Sequence, residues 1–273
     1  MNKSRITALI GGAYLVGIIP ANYITAAIDN NLNFSNFGAV VDTVFDADAS
    51  TLLAGGLPRL TDENPTTFES TEAHGENFYT VTGQANITYD PAPGEYVYLD
   101  TDMLGRTQGA YAFITPADRT QAQTQGRDSA DLPDPSGWPD SNGEVDISLP
   151  TGDTYHGWFW NRSHMIADSL GGSTDIENLV TGTRMQNVGD NTGNGGMAYT
   201  ETKVRDFLDD PANTDCGVYY ATEANYQGDE LIPRTVTVDV RTCDGTIDEN
   251  VIVDNIMPGY AINYHTGEWT KEN

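Results

Sequence analysis

The sequence predicts an α+β fold built on one main domain. Three observations lead there. A chain of 273 residues, 38% of them hydrophobic, can bury a sizeable core. Short segments of alternating or β-branched residues recur between turn residues along most of the chain. Helical spacing is confined to two stretches near the middle.

The elements follow in order. Lys3 and Arg5 precede an apolar run from Ile6 to Ile19, and no further charge appears before Asp29. Residues 1–27 read as a secretory signal, with Thr25-Ala26-Ala27 as small residues for cleavage. An uncleaved anchor is the other reading, because the uncharged stretch is long enough to span a bilayer. Either way the body is expected outside the cell, and it meets a membrane only if the segment is retained. Residues 28–75, rich in Asn, Asp, Thr and Ala, read as an extension or linker. Residues 76–273 form the expected main domain.

Within that domain the strand candidates are Tyr96 to Leu99, Gly109 to Thr115, Val145 to Leu149, Tyr155 to Trp160, Val218 to Thr222, Thr235 to Val240, Val251 to Val253 and Tyr260 to Tyr264. Residues 118–143 read as a long surface loop, being rich in Pro, Asp, Ser, Gly, Gln and Thr. The helical stretches run around Ile176 to Asn187 and from Met197 to Asp209. In the second, Val204, Phe207 and Leu208 give the i, i+3, i+4 spacing, and Pro211 stops it.

Forty acidic and 13 basic residues give a formal charge of −27, which excludes a generally basic nucleic-acid coat. Salt adaptation, strongly acidic secretion and simple lineage composition all fit that balance. The acid is uneven. Residues 155–205 carry four basic and five acidic side chains, so nearly all the excess lies elsewhere. A site that handles anions would keep carboxylates away in this manner. Cys216 and Cys243 are the only cysteines. An even count in an exported chain favours a disulfide, worth about 3 kcal/mol through the unfolded state.

The chemistry-bearing residues lie in the charge-balanced segment. Read as one strand, Tyr155 to His164 places His156, Trp158, Trp160, Arg162 and His164 on one face. Arg162 beside His164 suits a phosphodiester: the guanidinium can hold a phosphate oxygen, and a neutral imidazole can accept a proton from water. Trp158 and Trp160 are read as core. Glu201 and Arg205 share a face at i, i+4.

The order of these pieces resembles the DNA/RNA non-specific endonucleases of the ββα-metal type, especially streptococcal secreted DNases and DNA-entry nucleases. Asn161-Arg162-Ser163-His164 matches their tetrad, although Asp and Gly are commoner at its first and third positions. Asn187 falls where the family places its Mg²⁺-binding Asn, Asn178 matches the Asn of a Glu-Asn-Leu stretch, and Glu201 matches a helix Glu that holds metal-bound water. Leu104-Gly105-Arg106 resembles an upstream element, and Asn255 to Gly259 with Asn263 to Gly267 resembles the closing strand. The resemblance implies a central antiparallel sheet, with a few helices carrying the metal site.

It also implies a secreted Mg²⁺-dependent endonuclease, with Mn²⁺ as the substitute ion, cutting DNA and leaving 5′-phosphate ends, with RNA left open. No stable protein partner is inferred. His164 would be the general base, with Arg162 and Glu201 beside it. Asn187 would be the metal ligand, and Arg106, Arg184, Arg205 and Asn178 would contact substrate. A neutral Asn ligand leaves the ion its full charge for the phosphate. The rival expectation, favoured by the charge of −27, is a non-catalytic acidic extracellular binding module that holds Ca²⁺ through Asp-rich loops; a degenerate nuclease fold kept for binding is the intermediate case.

Overall fold

The computed structural model describes residues 6–10, 13–17, 69–70, 73, 75–126, 132–149, 152–190 and 192–272. The chain divides into two compact units, Met1–Asp62 and Glu63–Asn273. In the first, strands β1 (Ile6–Ile10) and β2 (Ala13–Gly17) pair antiparallel. The proposed cleavage residues Thr25 to Ala27 lie outside the described residues.

The second unit is organised by a six-stranded antiparallel sheet. Its strands are β4 (Tyr79–Gly83), β5 (Tyr96–Tyr98), β6 (Gly109–Ile114), β11 (Val218–Asn225), β12 (Thr235–Thr242) and β13 (Asp248–Asp254), ordered β4-β13-β12-β11-β6-β5. The sequence makes one face apolar by strict alternation. Val236, Val238 and Val240 of β12 are buried, as are Val218, Tyr220 and Ala224 of β11 and Val251 and Val253 of β13. This face packs with Val204, Phe207 and Leu208 of helix α3 (Ala198–Asp209). Burying such side chains is worth about 1.5–3 kcal/mol each. The Cys216–Cys243 disulfide forms where β11 enters and β12 leaves, with Cα atoms 5.5 Å apart.

Helix α1 (Pro116–Gln125) lies where the loop 118–143 was expected. Only Ala122 is buried on it, so it carries no apolar stripe to read. Its start was legible: Thr115 and Asp118 form a capping box, with Pro116 in the first turn. Arg119 ties it to α3 through Asp209 at 2.9–3.0 Å.

Two further corrections fall on the central segment. The expected strand Tyr155 to His164 is two strands, β8 (Thr154–Trp158) and β9 (Trp160–His164), broken at Phe159. Strand β8 pairs with β7 (Glu144–Ser148), whereas β9 pairs with β10 (Leu179–Thr183). Phe159 and Trp160 are consecutive and both buried, so alternation restarts at the break. The expected helix Ile176 to Asn187 is a 3₁₀ turn (Ile176–Asn178), then β10, then the short helix α2 (Arg184–Val188). All five residues of β10 are buried, so no period of two marks it in the sequence.

A second core lies around β7, with Val145 and Ile147 packed among Phe159, Trp160, Met185, Ile256, Tyr260 and Ile262. The last belong to β14 (Tyr260–Ile262) and its approach. Strand β14 pairs with β3 (Glu69–Ser70) and β15 (Trp269–Lys271). The β9–β10–α2 unit is packed between the two cores, with Val180 in one and Met185 in the other.

Candidate active site

Strands β9 and β10 form an antiparallel ribbon that leads directly into α2. His164 lies opposite Leu179, Ser163 opposite Val180 and Arg162 opposite Thr181. The free edge of β10 is completed by one side chain rather than by another strand. Asn255 accepts from Thr183 N at 2.8 Å and donates to Thr181 O at 3.0 Å and Pro233 O at 2.8 Å. Buried backbone groups need such partners, and Asn255 supplies both a donor and an acceptor. Thr183 then caps α2 by accepting from Gln186 N.

This geometry fixes Asn187. Ser163 donates to Asn187 Oδ1 at 3.2 Å, and Asn187 Nδ2 donates to Asn161 Oδ1 at 3.2 Å. The first and third residues of the tetrad therefore grip the amide, with Ser163 fully buried. Arg162 and His164, on the alternate positions of β9, line the same cavity as Asn187. That cavity of about 1040 Å³ also meets Arg184, Glu201, Arg205 and Arg119.

Glu201 and Arg205 are paired at 3.5 Å on α3, and Arg205 also donates to Ser169 Oγ and Thr202 Oγ1. Arg205 thus holds Glu201 as much as it presents charge. Arg162 is ion-paired with Asp134 and lies 4.2 Å above the Trp138 ring. The Arg184 guanidinium lies 5.0 Å above the Tyr155 ring.

Three sequence expectations are not met. Arg106 stays outside the cavity: it donates to Asp102, Gly228 O and Glu230 O and covers the Tyr226 ring. It locks a turn. Asn178 is fully buried, accepting from Ile166 N and donating to Ile166 O and Ser173 O. It clasps the segment leaving His164 and cannot reach a substrate. Nor does His156 share the face of His164: it is exposed on β8, where the hydrogen bond to Asp146 raises its pKa.

Sequence reasoning also missed Asn77. Its side chain accepts from Asp190 N, and its carbonyl accepts from Gly196 N, bracketing the loop that follows α2. A Cβ at Gly195 would come within 2.1 Å of Asn77 Oδ1, so that close approach requires glycine.

A family model for DNA/RNA non-specific endonucleases matches residues 85–243, which include the ribbon, α2 and α3. The chain belongs to this family. It is a nuclease, and its fold is the ββα-metal nuclease fold. A deoxyribonuclease of Streptococcus dysgalactiae subsp. equisimilis is 31% identical over 252 residues, covering 74% of this chain and 76% of the relative. The structure of Sda1 nuclease with a bound zinc ion superposes with a TM-score of 0.65 at 32% identity, covering 72% of this chain and 97% of that one. NucA from Streptococcus agalactiae with a magnesium ion bound gives a TM-score of 0.53 at 25% identity, over 76% of this chain and 90% of that one. Family membership makes nucleic acid the substrate and sets aside the acidic binding module.

Proposed function

We propose that this nuclease is exported and hydrolyses DNA phosphodiesters endonucleolytically in the presence of Mg²⁺, leaving 5′-phosphate ends, and accepts RNA through the same contacts. The observation that carries the reading is the fixed Asn187 amide in the cavity that His164, Arg162 and Glu201 line.

The donor set fits a hard, largely hydrated cation. Among the described residues no three His, Cys, Asp or Glu side chains cluster to cage a metal. An amide oxygen at Asn187, with the Glu201 carboxylate placed to hold water, suits an ion that keeps most of its water shell. NucA with its magnesium ion supports the choice of Mg²⁺, and Mn²⁺ shares that preference for oxygen. When bound, the ion supplies charge to stabilise the phosphorane-like transition state and the departing 3′ oxygen.

The side chains do the rest. His164 accepts a proton from the attacking water, a contribution of about 10²–10⁴ in rate. Arg162 and Arg184 receive phosphate oxygens, each placed over an aromatic ring that limits its orientation. Arg205 holds Glu201 in place. Contacts to phosphate carry no base information, which makes cutting indifferent to sequence. Export rests on the basic and apolar opening of the chain. Among the described residues no helix is long and apolar enough to cross a membrane.

The test is digestion of closed-circular plasmid by the purified chain. Nicked and linear products in Mg²⁺, 5′-phosphate ends, and no products in EDTA are expected. Equal cutting in EDTA would contradict the metal assignment.

A further inference from the structure

Trp158 stands apart from the other aromatic side chains. It is 53% exposed, and of the large exposed apolar side chains among the described residues it is the one that lines the cavity. The others are Val81, Tyr89, Met103 and Leu104, and Tyr89 is stacked on Tyr111. The Trp158 ring has no stacking partner among the described residues. The break at Phe159 explains its position. Phe159 turns inward to stack on Trp269 at 4.8 Å, and Trp160 is buried with its indole N–H donating to Gly267 O. The same break leaves Trp158, the last residue of β8, pointing to solvent.

Its mounting is rigid. Trp158 lies opposite Glu144 in the β7–β8 ladder. The next residue is fixed on both sides: Phe159 N donates to Gly143 O, and Phe159 O accepts from Arg184 N. The ring is therefore carried on the strand whose continuation bears Arg162 and His164. The cavity wall places aromatic rings beside phosphate-binding cations: Trp138 under Arg162, Tyr155 under Arg184, and Trp158 bare. A backbone held by the arginines would bring its bases to the rim, where one uncovered indole face is available.

We propose that Trp158 is a stacking platform for an unpaired base, and that it gives this nuclease a preference for single-stranded segments. This rests on the cavity being the substrate cleft. A base in a duplex has both faces covered by its neighbours, so an indole ring gains little from it. A base in a single strand has a face to offer, and stacking of this kind is tolerant of base identity. It also suits the charge of this molecule. A net charge of −27 weakens long-range attraction for a polyanion, whereas stacking releases no counterions and so persists in salt.

The test compares wild type, Trp158→Ala, Trp158→Phe and His164→Ala. Binding of labelled oligothymidylate and of a labelled duplex is measured by anisotropy in EDTA, and cleavage of both in Mg²⁺. Trp158→Ala should weaken single-strand binding and raise KM on it by at least about fivefold, with kcat within about twofold. Duplex binding should be nearly unchanged, and Trp158→Phe should recover most of the loss. The ratio of Trp158→Ala to wild type should hold as salt is raised. An unchanged thermal midpoint confirms that the exposed side chain is not structural. Unchanged single-strand binding, or an equal loss on duplex and single strand, would overturn the proposal. His164→Ala reports separately: loss of kcat with binding retained supports the cleft whatever Trp158 does.

Discussion

Asn187 does not orient itself. Its amide oxygen accepts a hydrogen bond from Ser163 and its amide nitrogen donates one to Asn161, so the proposed ligand position depends on two side chains of β9. Ser163→Ala should keep the fold, since a hydroxyl is exchanged for hydrogen at a buried site. It should raise the Mg²⁺ concentration for half-maximal cutting by about 10-fold, because groups behind a ligand typically tune affinity to that extent. Asn187→Ala should raise it further, with partial recovery at high Mg²⁺. A metal titration of cutting rate checks both, and an unshifted Ser163→Ala curve would free Asn187 from its neighbour. The tetrad was legible because its order is preserved in the sequence. The fates of Arg106 and Asn178 were not, because residue type does not reveal a partner: one is engaged by carbonyls 122 and 124 residues away, the other is buried.

Elements were legible where only one face is buried. The alternation in β11 and β12 and the stripe on α3 announced themselves, because solvent writes the opposite face. Strand β10 was misread as helix because solvent touches neither of its faces, and its edge is closed by Asn255, 72 residues beyond Thr183. The break at Phe159 was hidden in an aromatic run. Gly182 is the close contact between ribbon and helix: a Cβ there would come within 2.2 Å of Gln186 Oε1 and 2.7 Å of Ser163 Cβ. Gly182→Ala should therefore push α2 off β9, destabilising by about 1–3 kcal/mol and lowering cutting more than thermal stability suggests. Denaturant melts beside cutting rates check this. A turn offers a pH test. Asp244 accepts from Thr242, Thr246 and the Thr246 N–H between β12 and β13, holding its pKa down to about 2. A depressed carboxylate contributes stability above its unfolded value of 3.8 and loses it as pH falls towards 2. Asp244→Ala should flatten the acid limb of the stability curve between those values, and an unchanged limb would contradict it.

At the scale of the whole molecule, an acidic protein must hold a polyanion. The charge-balanced stretch 155–205 resolves this: it holds β9, β10, α2 and most of α3, and it supplies most of the cavity wall. With Arg106 outside the cleft and Arg119 paired with Asp209, the cations proposed to meet phosphate are Arg162, Arg184 and Arg205. Each contributes about 0.9 to the salt dependence on duplex DNA, so a log–log slope of about 3 is expected. A slope near 10 would require a basic surface elsewhere. Removing the 27-residue link between Cys216 and Cys243 by reduction should cost about 3 kcal/mol. Both effects bear on endurance rather than on chemistry. The chemistry is tested most directly by single-turnover cleavage of DNA with His164→Ala at saturating Mg²⁺, with binding measured alongside. The rate should fall by at least about 100-fold with binding unchanged; His164→Ala cutting as fast as wild type would contradict the account.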